Sequence, residues 1–127
     1  MFLVDTNIWL ELLLDQAEAE RVRRFLETTD PSSLYLTDFT LHSIGIVLVR
    51  LKKTELFERF VEDLLIEGGV NLIRLSVDEM RAVLGAASRF GLDFDDSYQY
   101  VSASNFNLEL ASFDADFDRT DIKRKKV

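Results

Sequence analysis

Short apolar runs alternate along the chain with longer segments in which apolar residues recur every three or four positions. A buried strand reads as a short continuous apolar run, whereas an amphipathic helix reads as a stripe with helical spacing. The apolar runs predict strands over residues 2–4, 34–36, 70–75 and 108–112, and a short fifth strand can form near Ile122.

Helices are predicted between these strands, over residues 8–14, 15–28, 38–53, 54–66, 77–90 and 94–105. Their expected caps are Thr6 or Asn7, Thr37 or Asp38, Thr54, a Ser76–Glu79 capping box, and Asp93. Gly68-Gly69 and Gly91 are expected to end two of them. The helix over residues 38–53 is apolar nearly all round, which predicts deep burial.

Strands that alternate with helices favour parallel βαβ units with right-handed crossovers. The expected fold is therefore α/β, a three-layer α/β/α sandwich around a parallel sheet of four to five strands. With 127 residues, one proline and five glycines, the chain has no stretch that resembles a linker. A single domain over residues 1–127 is expected.

Composition excludes several classes of site. The chain has no cysteine, which removes disulfides, thiolate metal sites and cysteine nucleophiles, and which fits a reducing, cytoplasmic location. The N-terminus has no basic segment, and Asp5 interrupts its apolar run, so no signal peptide is predicted. No apolar run approaches the roughly 20 residues of a membrane span, so no membrane association is expected.

The formal net charge is −8, whereas a protein that binds nucleic acid through charge alone usually has a basic face. An enzyme whose phosphate contacts run through divalent metal ions remains compatible with this charge. The one basic cluster is Lys123-Arg124-Lys125-Lys126. It can be a solvated tail, or it can provide a local phosphate contact.

Several acids are expected at one edge of the sheet. Asp5 follows the first strand and Asp114 follows the fourth, while Asp95 and Asp96 open the last long helix. If the first and fourth strands are neighbours across a topological switch point, Asp5 and Asp114 face each other over a crevice.

Each acid also has a purely structural interpretation. Asp5 could cap a helix, Asp95 and Asp96 could favour a helix N-terminus, and Asp114 and Asp116 could shape a turn. Carboxylates gathered in one crevice repel each other unless a cation neutralises them. Oxygen ligands in a chain without cysteine favour Mg²⁺ or Mn²⁺, and such ions serve phosphodiester cleavage.

Three segments, FLVDTNIWLELL, FGLDFDDSYQYVSAS and LELASFDADFDR, resemble the PIN domain in order and spacing, and VapC-type toxins of toxin–antitoxin pairs in particular. The resemblance implies a Mg²⁺- or Mn²⁺-dependent endoribonuclease. It makes Asp5, Asp96 and Asp114 the metal ligands, with Asp95 as the alternative to Asp96 if the register slips by one. It assigns supporting roles to Thr6, Asn7, Ser112 and Asp116.

One position departs from the PIN pattern. The family usually has a glutamate in the helix after the second strand, but no glutamate lies between Thr37 and Lys53. The equivalent position is expected to be Ser43, preceded by His42. His42 could replace the missing carboxylate as a metal ligand or proton shuttle, with Asp38 orienting its ring. It could instead make a buried hydrogen bond within an apolar helix.

Two functional hypotheses follow from these observations. The first is a toxin-type, metal-dependent ribonuclease. The second is a PIN-like binding or assembly module that has lost catalysis, because the usual glutamate is absent. Expected partners are an RNA substrate, a second copy of the chain and an antitoxin. The homodimer is suggested by the apolar helices between Phe39 and Ile66, which carry more apolar surface than one sheet face needs.

Overall fold

The computed structural model describes residues 1–127 and contains one parallel sheet of five strands in the order β3-β2-β1-β4-β5. The strands are β1 (Phe2–Val4), β2 (Leu34–Thr37), β3 (Asn71–Ile73), β4 (Glu109–Ala111) and β5 (Arg124–Lys125). All four pairings are parallel. The predicted fold class is confirmed. Two of the strands, β3 and β4, are shorter than predicted.

The strand order places a topological switch point between β1 and β4. The chain moves outward from β1 through β2 to β3 and then returns to pair β4 with the other side of β1. In that pairing Val4 lies opposite Ala111, and the Asp5 amide donates to the Ala111 carbonyl at 2.9 Å. Asp5 and Ser112 therefore leave neighbouring strands side by side, where ligands of open α/β sheets bind.

Six α-helices connect the strands: α1 (Thr6–Leu13), α2 (Ala19–Glu27), α3 (Asp38–Arg50), α4 (Thr54–Phe60), α5 (Met80–Phe90) and α6 (Phe94–Asn105). Short 3₁₀-helical turns span Pro31–Ser33, Val77–Glu79 and Ala115–Arg119, and α4 continues into a π-helical turn at Val61–Ile66. None of the helices combines the length and the apolar character needed to cross a bilayer.

The helices form a layer on each face of the sheet, as the alternation of side chains along the strands requires. Val4 of β1 packs in a cluster with Ile8, Trp9, Val22, Ile44, Leu48 and Phe60, from α1 to α4. Leu3, one residue earlier, packs on the opposite face with Ala103, Leu110 and Phe117. Next to that cluster, α5 and α6 pack through Val83, Ala86, Tyr98 and Val101.

Several caps differ from the prediction. Asp5 caps α1 by accepting from the Thr6 amide at 2.8 Å, so neither Thr6 nor Asn7 is the cap. Thr37 caps α3 as expected. Thr54 is the first residue of α4 rather than its cap, and the Asp93 side chain makes no capping hydrogen bond.

Other helix ends follow the sequence signals more closely. The Ser76–Glu79 capping box is present, and Gly91 ends α5 with a φ of 65°. The helix predicted over residues 15–28 begins only at Ala19, because Asp15 takes a φ of 50° and breaks the segment.

The prediction that α3 is deeply buried is wrong. Only Thr40, Ile44 and Leu48 of this helix are buried, whereas Ile46 and Val49 are 53% and 55% exposed. The sheet and α1 cover one side of α3, and Phe57 of α4 lies against Gly45. The remaining side has no neighbouring element, so its apolar residues face solvent.

Candidate active site

A cleft of about 330 Å³ opens at the carboxyl edge of the sheet, over the switch point between β1 and β4. No lysine or arginine lines it. Its lining residues are Asp5, Thr6, Asn7, Leu10, Phe39, Ser43, Asp95, Asp96, Gln99 and Asp114. A wider depression of about 610 Å³ lies along α4, but exposed charged side chains form all of its lining. The cleft is therefore the better enclosed of the two.

Asp5 lies at the floor of the cleft and is 7% exposed. One carboxylate oxygen, Oδ1, accepts from the Thr6 amide and from Gln99 Nε2, at 2.8 and 2.9 Å. The other, Oδ2, accepts from the Ser112 hydroxyl at 2.7 Å. Burial raises the pKa of Asp5, Asp114 raises it further, and the three donors partly oppose the rise. Asp5 thus both caps α1 and presents a carboxylate to the cleft.

Gln99 fixes this carboxylate from the side of α6. The residue is 2% exposed, and Nε2 also donates to Thr40 Oγ1 at 2.9 Å. Its carbonyl oxygen accepts from the Thr37 hydroxyl at 2.8 Å. Thr40 in turn shares a hydrogen bond of 2.9 Å with Thr6. The network joins β1, α1, α3 and α6 beneath the cleft, and no side-chain polar atom buried in the protein lacks a partner.

Asp96 also has a strongly perturbed carboxyl group. Burial, together with the neighbouring carboxylates of Asp114, Asp95 and Asp5, raises its pKa from the ordinary value of 3.8 to about 7. A carboxylate that is hard to ionise among other carboxylates indicates a place where positive charge would be stabilising. The site thus favours a cation electrostatically.

Three carboxylates approach each other closely enough to share one cation. Oxygens of Asp96, Asp114 and Asp116 all lie within 4.8 Å of one another. Asp5 is not a member of this group, although it lines the same cleft. Asp116 is exposed and pairs with Arg119 at 2.6 Å, and Asp95 is exposed at the rim of the cleft.

The residues expected to support the acids are also at the cleft. Ser112 is fully buried, and its hydroxyl oxygen accepts from Asn7 Nδ2 at 3.3 Å and from the Asp114 amide at 3.0 Å. Asn7 Oδ1 accepts from the Phe113 amide at 3.3 Å. Because Ser112 also donates to Asp5, it connects the two acids that follow β1 and β4.

Ser43 and His42 take different positions although they are adjacent in sequence. Ser43 lines the cleft, whereas the His42 side chain is exposed, lies outside the cleft and makes no hydrogen bond. The structure thus contradicts the buried hydrogen bond that was one alternative for His42, because the helical rotation from Ser43 turns the imidazole to solvent. It also places the imidazole outside the cleft in which the other alternative, a metal ligand or proton shuttle, would act. Asp38 does not orient it, since its Oδ1 accepts from the Phe39 amide and the Tyr98 hydroxyl.

Sequence reasoning missed Gln99, whose side chain makes hydrogen bonds to Asp5, Thr40 and Thr37 beneath the cleft. One signal for it was present. Gln99 lies three positions after Asp96 in a predicted helix, so both residues share a helical face, and it is flanked by Tyr98 and Tyr100. A long polar side chain on the face of a proposed catalytic acid indicates a hydrogen-bonding role.

The fold and the cleft together define a parallel α/β protein with a carboxylate-rich site at its switch point. The PIN domain model matches residues 2–123, and the chain belongs to the PIN domain family. The resemblance seen in its three sequence segments is thereby confirmed.

Solved structures share this fold over nearly the whole chain. FitAcB from Neisseria gonorrhoeae is 25% identical, with a TM-score of 0.79 and coverage of 99% of this chain and 97% of that one. A toxin–antitoxin complex from Klebsiella pneumoniae is 24% identical, with a TM-score of 0.73 and coverage of 92% and 90%. VapC20 of Mycobacterium tuberculosis, a sarcin-ricin loop cleaving toxin, is 16% identical, with a TM-score of 0.81 and coverage of 96% of each chain. No curated protein sequence matches the chain.

Proposed function

We propose that the protein is a metal-dependent endoribonuclease and the toxin of a toxin–antitoxin pair. The observation that carries this proposal is the cleft at the switch point, where acids gather without any basic side chain to neutralise them. Membership of the PIN family supports a nuclease, and similarity to a toxin–antitoxin complex and to an RNA-cleaving toxin supports the biological class.

The donor set fits a divalent cation. Every carboxylate at the cleft offers oxygen, the ligand atom that Mg²⁺ and Mn²⁺ prefer. The pKa of Asp96 is raised first by burial and then by repulsion from the neighbouring carboxylates, which a cation would relieve. We assign the ligands as Asp96 and Asp114, with Asp5 contributing from the floor of the cleft through Oδ2, which accepts only one hydrogen bond. Asp116 is the alternative third ligand, because its oxygen lies within reach of the other two.

A bound divalent cation would lower the pKa of a water molecule and offset charge on the scissile phosphate. The protein's own residues hold that site in shape. Gln99 and Ser112 fix the Asp5 carboxylate from two sides, and Asn7 fixes Ser112. Asp96 must lose its proton before it can ligate, so metal binding and protonation compete at this residue. The proposed place of action is the cytoplasm, where the RNA substrate lies.

The decisive test of this function is Asp5→Asn. We expect the variant to lose cleavage of mixed cellular RNA in Mg²⁺, because it removes a carboxylate from the site. Its melting temperature should stay the same or rise, since asparagine also caps helices and the change relieves repulsion among buried acids. Thermal unfolding by circular dichroism and a gel assay of RNA cleavage measure the two effects.

Asp15→Asn is the matched control, because Asp15 is exposed and lies outside the cleft, and asparagine tolerates its positive φ. It should cleave RNA like the wild type. Retained cleavage by Asp5→Asn would contradict the proposal. Calorimetric titration with Mn²⁺ then separates the ligands: Asp5→Asn should weaken binding strongly, and Asp116→Asn should weaken it little.

Ser43 favours a second candidate function. It lines the cleft at the position where the PIN resemblance implies a glutamate, so this cleft has one carboxylate fewer than expected. The alternative is a PIN-domain binding module that no longer cleaves RNA. Titration of Mg²⁺ and Mn²⁺ by calorimetry, together with the RNA assay, distinguishes the two functions. A wild-type protein that neither binds metal nor cleaves RNA would be such a module.

The proposed partners are an antitoxin and a second copy of the chain. The relative from Klebsiella pneumoniae is a toxin–antitoxin complex, which motivates the first. The exposed apolar side of α3, with Ile46, Val49 and the following Leu51 each at least half exposed, motivates the second.

A further inference from the structure

Four basic side chains from opposite ends of the chain meet at one surface depression. Arg21 and Arg24 come from α2, and Lys125 and Lys126 come from the end of β5. Together with Phe25, Thr28 and Val127 they line a depression of about 310 Å³. Arg21 pairs with Glu18, whereas Arg24, Lys125 and Lys126 form no ion pair. We refer to Arg21, Arg24, Lys125 and Lys126 as the basic patch.

One end of the basic patch, Lys126, reaches the sheet edge that holds the acidic cleft through the register of β5 with β4. Lys125 lies opposite Ala111 in the parallel pairing of β5 with β4, so Lys126 leaves the sheet at the same edge as Ser112. Neighbouring strands are only about 4.8 Å apart. Between the two, the Arg124 guanidinium donates to the Ser112 carbonyl at 3.2 Å. The loop that bears Asp114 thus separates the cleft from the patch.

Arg124 is not itself available to a ligand. Its side chain is only 9% exposed and pairs with Asp118 through two hydrogen bonds of 2.8 Å. These bonds satisfy Asp118, and Arg124 and Lys126 both lower the pKa of Asp118. Arg124 therefore anchors β5 to the cleft loop, while Lys125 and Lys126 remain exposed.

The positive charge of the patch is suited to binding RNA. The chain carries a net charge of −8, and its cleft has no basic side chain, so phosphates beside the scissile one would be repelled. Lysine and arginine near those phosphates would release condensed counterions and provide affinity that the cleft cannot supply. A basic surface is needed close to the acids, and Lys126 of this patch leaves the sheet at the edge that carries them.

We propose that the basic patch is a substrate subsite that binds backbone phosphates of RNA flanking the cleaved bond. The choice of RNA as ligand rests on the proposed ribonuclease function. The subsite itself rests on the meeting of α2 and β5 in one basic depression and on the exit of Lys126 at the sheet edge that holds the cleft. Lys125, Lys126 and Arg24 provide the free cations, while Arg21 links α2 to the Val127 carbonyl and holds the two walls together.

The test measures RNA binding separately from cleavage. A fluorescein-labelled single-stranded RNA oligonucleotide is titrated with the protein in EDTA, so that no divalent ion is present, and the anisotropy gives Kd at several salt concentrations. The double substitution Lys125→Glu with Lys126→Glu should raise Kd about tenfold or more. It should also lower the slope of log Kd against log salt by about 1, because phosphate contacts are lost.

Lys52→Glu with Lys53→Glu is the matched control. It changes the net charge equally, at exposed lysines between α3 and α4, and should alter Kd less than about twofold at physiological salt. Equal losses in both double variants, or no measurable binding by the wild type, would overturn the proposal. Lys125→Gln with Lys126→Gln removes the charges without reversing them and should weaken RNA binding less than the glutamate variant. Thermal unfolding of both variants checks that the protein still folds. If the wild type binds oligoglutamate but not RNA, and the same variants lose that binding, the ligand of the patch is an acidic peptide instead.

A cleavage assay tests the proposed subsite separately from the proposed ribonuclease activity. In Mg²⁺, Lys125→Glu with Lys126→Glu should raise KM for a long RNA and leave kcat, and the rate on a dinucleotide, unchanged. Binding that depends on the patch without any wild-type cleavage would retain the subsite and reject the nuclease. Cleavage of long RNA with an unchanged KM in the variant would retain the nuclease and reject the subsite.

Discussion

Asp5 shows how one residue can satisfy two interpretations of a sequence. An acid after a buried strand predicts either a helix cap or a site residue, and Asp5 both caps α1 and lines the acidic cleft. Oδ1 accepts from the Thr6 amide as a cap, while Oδ2 is directed to Ser112 at the cleft. The two roles use different oxygens, so they do not compete.

Asp96 predicts how stability depends on pH when divalent metal is absent. Its pKa in the folded protein is about 7, raised from 3.8, so the folded chain holds more protons than the unfolded chain between these values. Stability contributed by this group is therefore present at the acidic end of the window and is lost as pH rises through about 7. The raised pKa of Asp5 acts in the same sense.

The urea midpoint in EDTA should accordingly be lower at about pH 8 than at about pH 5. Asp96→Asn should reduce this difference, because it removes one of the two titrating groups and leaves Asp5. Asp63→Asn changes an exposed acid of the π-helical turn and should leave the difference between the two midpoints unchanged. Added Mg²⁺ should raise the midpoint at pH 8 in the wild type. An Asp96→Asn protein with the full pH dependence would show that another group is responsible.

Gln99 should contribute strongly to folding stability. Gln99→Leu removes its hydrogen bonds to Asp5, Thr40 and Thr37, all of which are buried. Groups left without partners in the interior cost about 1–3 kcal/mol each, so the free energy of unfolding should fall by about 2–4 kcal/mol. Urea unfolding measures the loss.

Gln16→Leu is the control for this substitution, because Gln16 is exposed between α1 and α2. Its free energy of unfolding should change by less than about 0.5 kcal/mol. Equal effects of the two substitutions would mean that the network under the cleft adds nothing to stability.

The contacts of Gln99 explain why sequence reasoning found the acids and missed the glutamine. The acids follow strands, a position that the local pattern reveals. The partners of Gln99 lie 59, 62 and 94 positions away in the chain, and only the packing of α6 against β1 and α3 brings them together. The composition of a single segment does not carry that information.

At the scale of elements, local signals predicted where helices and strands occur more reliably than where they end. The box at Ser76 and the glycine at Gly91 specify their own termini and were predicted correctly. The helix predicted over residues 54–66 ends at Ile66 as expected, but its last part is the π-helical turn Val61–Ile66 rather than α-helix. Side-chain periodicity cannot distinguish these two kinds of turn over so few residues.

Gly85 within α5 and Gly91 at its C-terminal end should respond in opposite directions to substitution by alanine. Gly91 has a φ of 65°, and an added Cβ would lie 3.2 Å from an Arg119 nitrogen, so Gly91→Ala should cost about 1 kcal/mol. Gly85 lies within the helix with open space around it, so Gly85→Ala should stabilise by about 0.5–1 kcal/mol. Thermal and urea unfolding compare them, and a stabilising Gly91→Ala would contradict the strain argument.

At the scale of the whole molecule, the alternation of strands and helices was sufficient to predict the layers. The right-handed crossover rule limits the possible orders of the strands, and the acids after the first and fourth strands suggested which strands are neighbours. The exposure of α3 could not be predicted, because an apolar helix has the same sequence pattern whether its outer side is covered by the same chain or by another.

The proposed homodimer predicts that α3 supplies its interface. Ile46→Glu with Val49→Glu places charges on the exposed apolar side of the helix, and sedimentation velocity should then show a monomer where the wild type shows a dimer. Val77→Glu with Leu84→Glu changes apolar residues that are 87% and 63% exposed near α5 and should leave the dimer intact. If only Val77→Glu with Leu84→Glu produced a monomer, the dimer interface would lie near α5. A monomeric wild-type protein would contradict the proposed dimer.

Asp5 both caps α1 and lines the cleft, and this combination has an evolutionary consequence. A lineage that abandoned cleavage would still be selected to keep a capping residue after β1, because losing the cap costs about 1 kcal/mol. Ser43 lines the same cleft without a hydrogen bond to another side chain and has no such constraint. Among descendants of an active ancestor, drift should therefore appear first at positions such as Ser43, and an intact aspartate after the first strand would report ancestry rather than present activity.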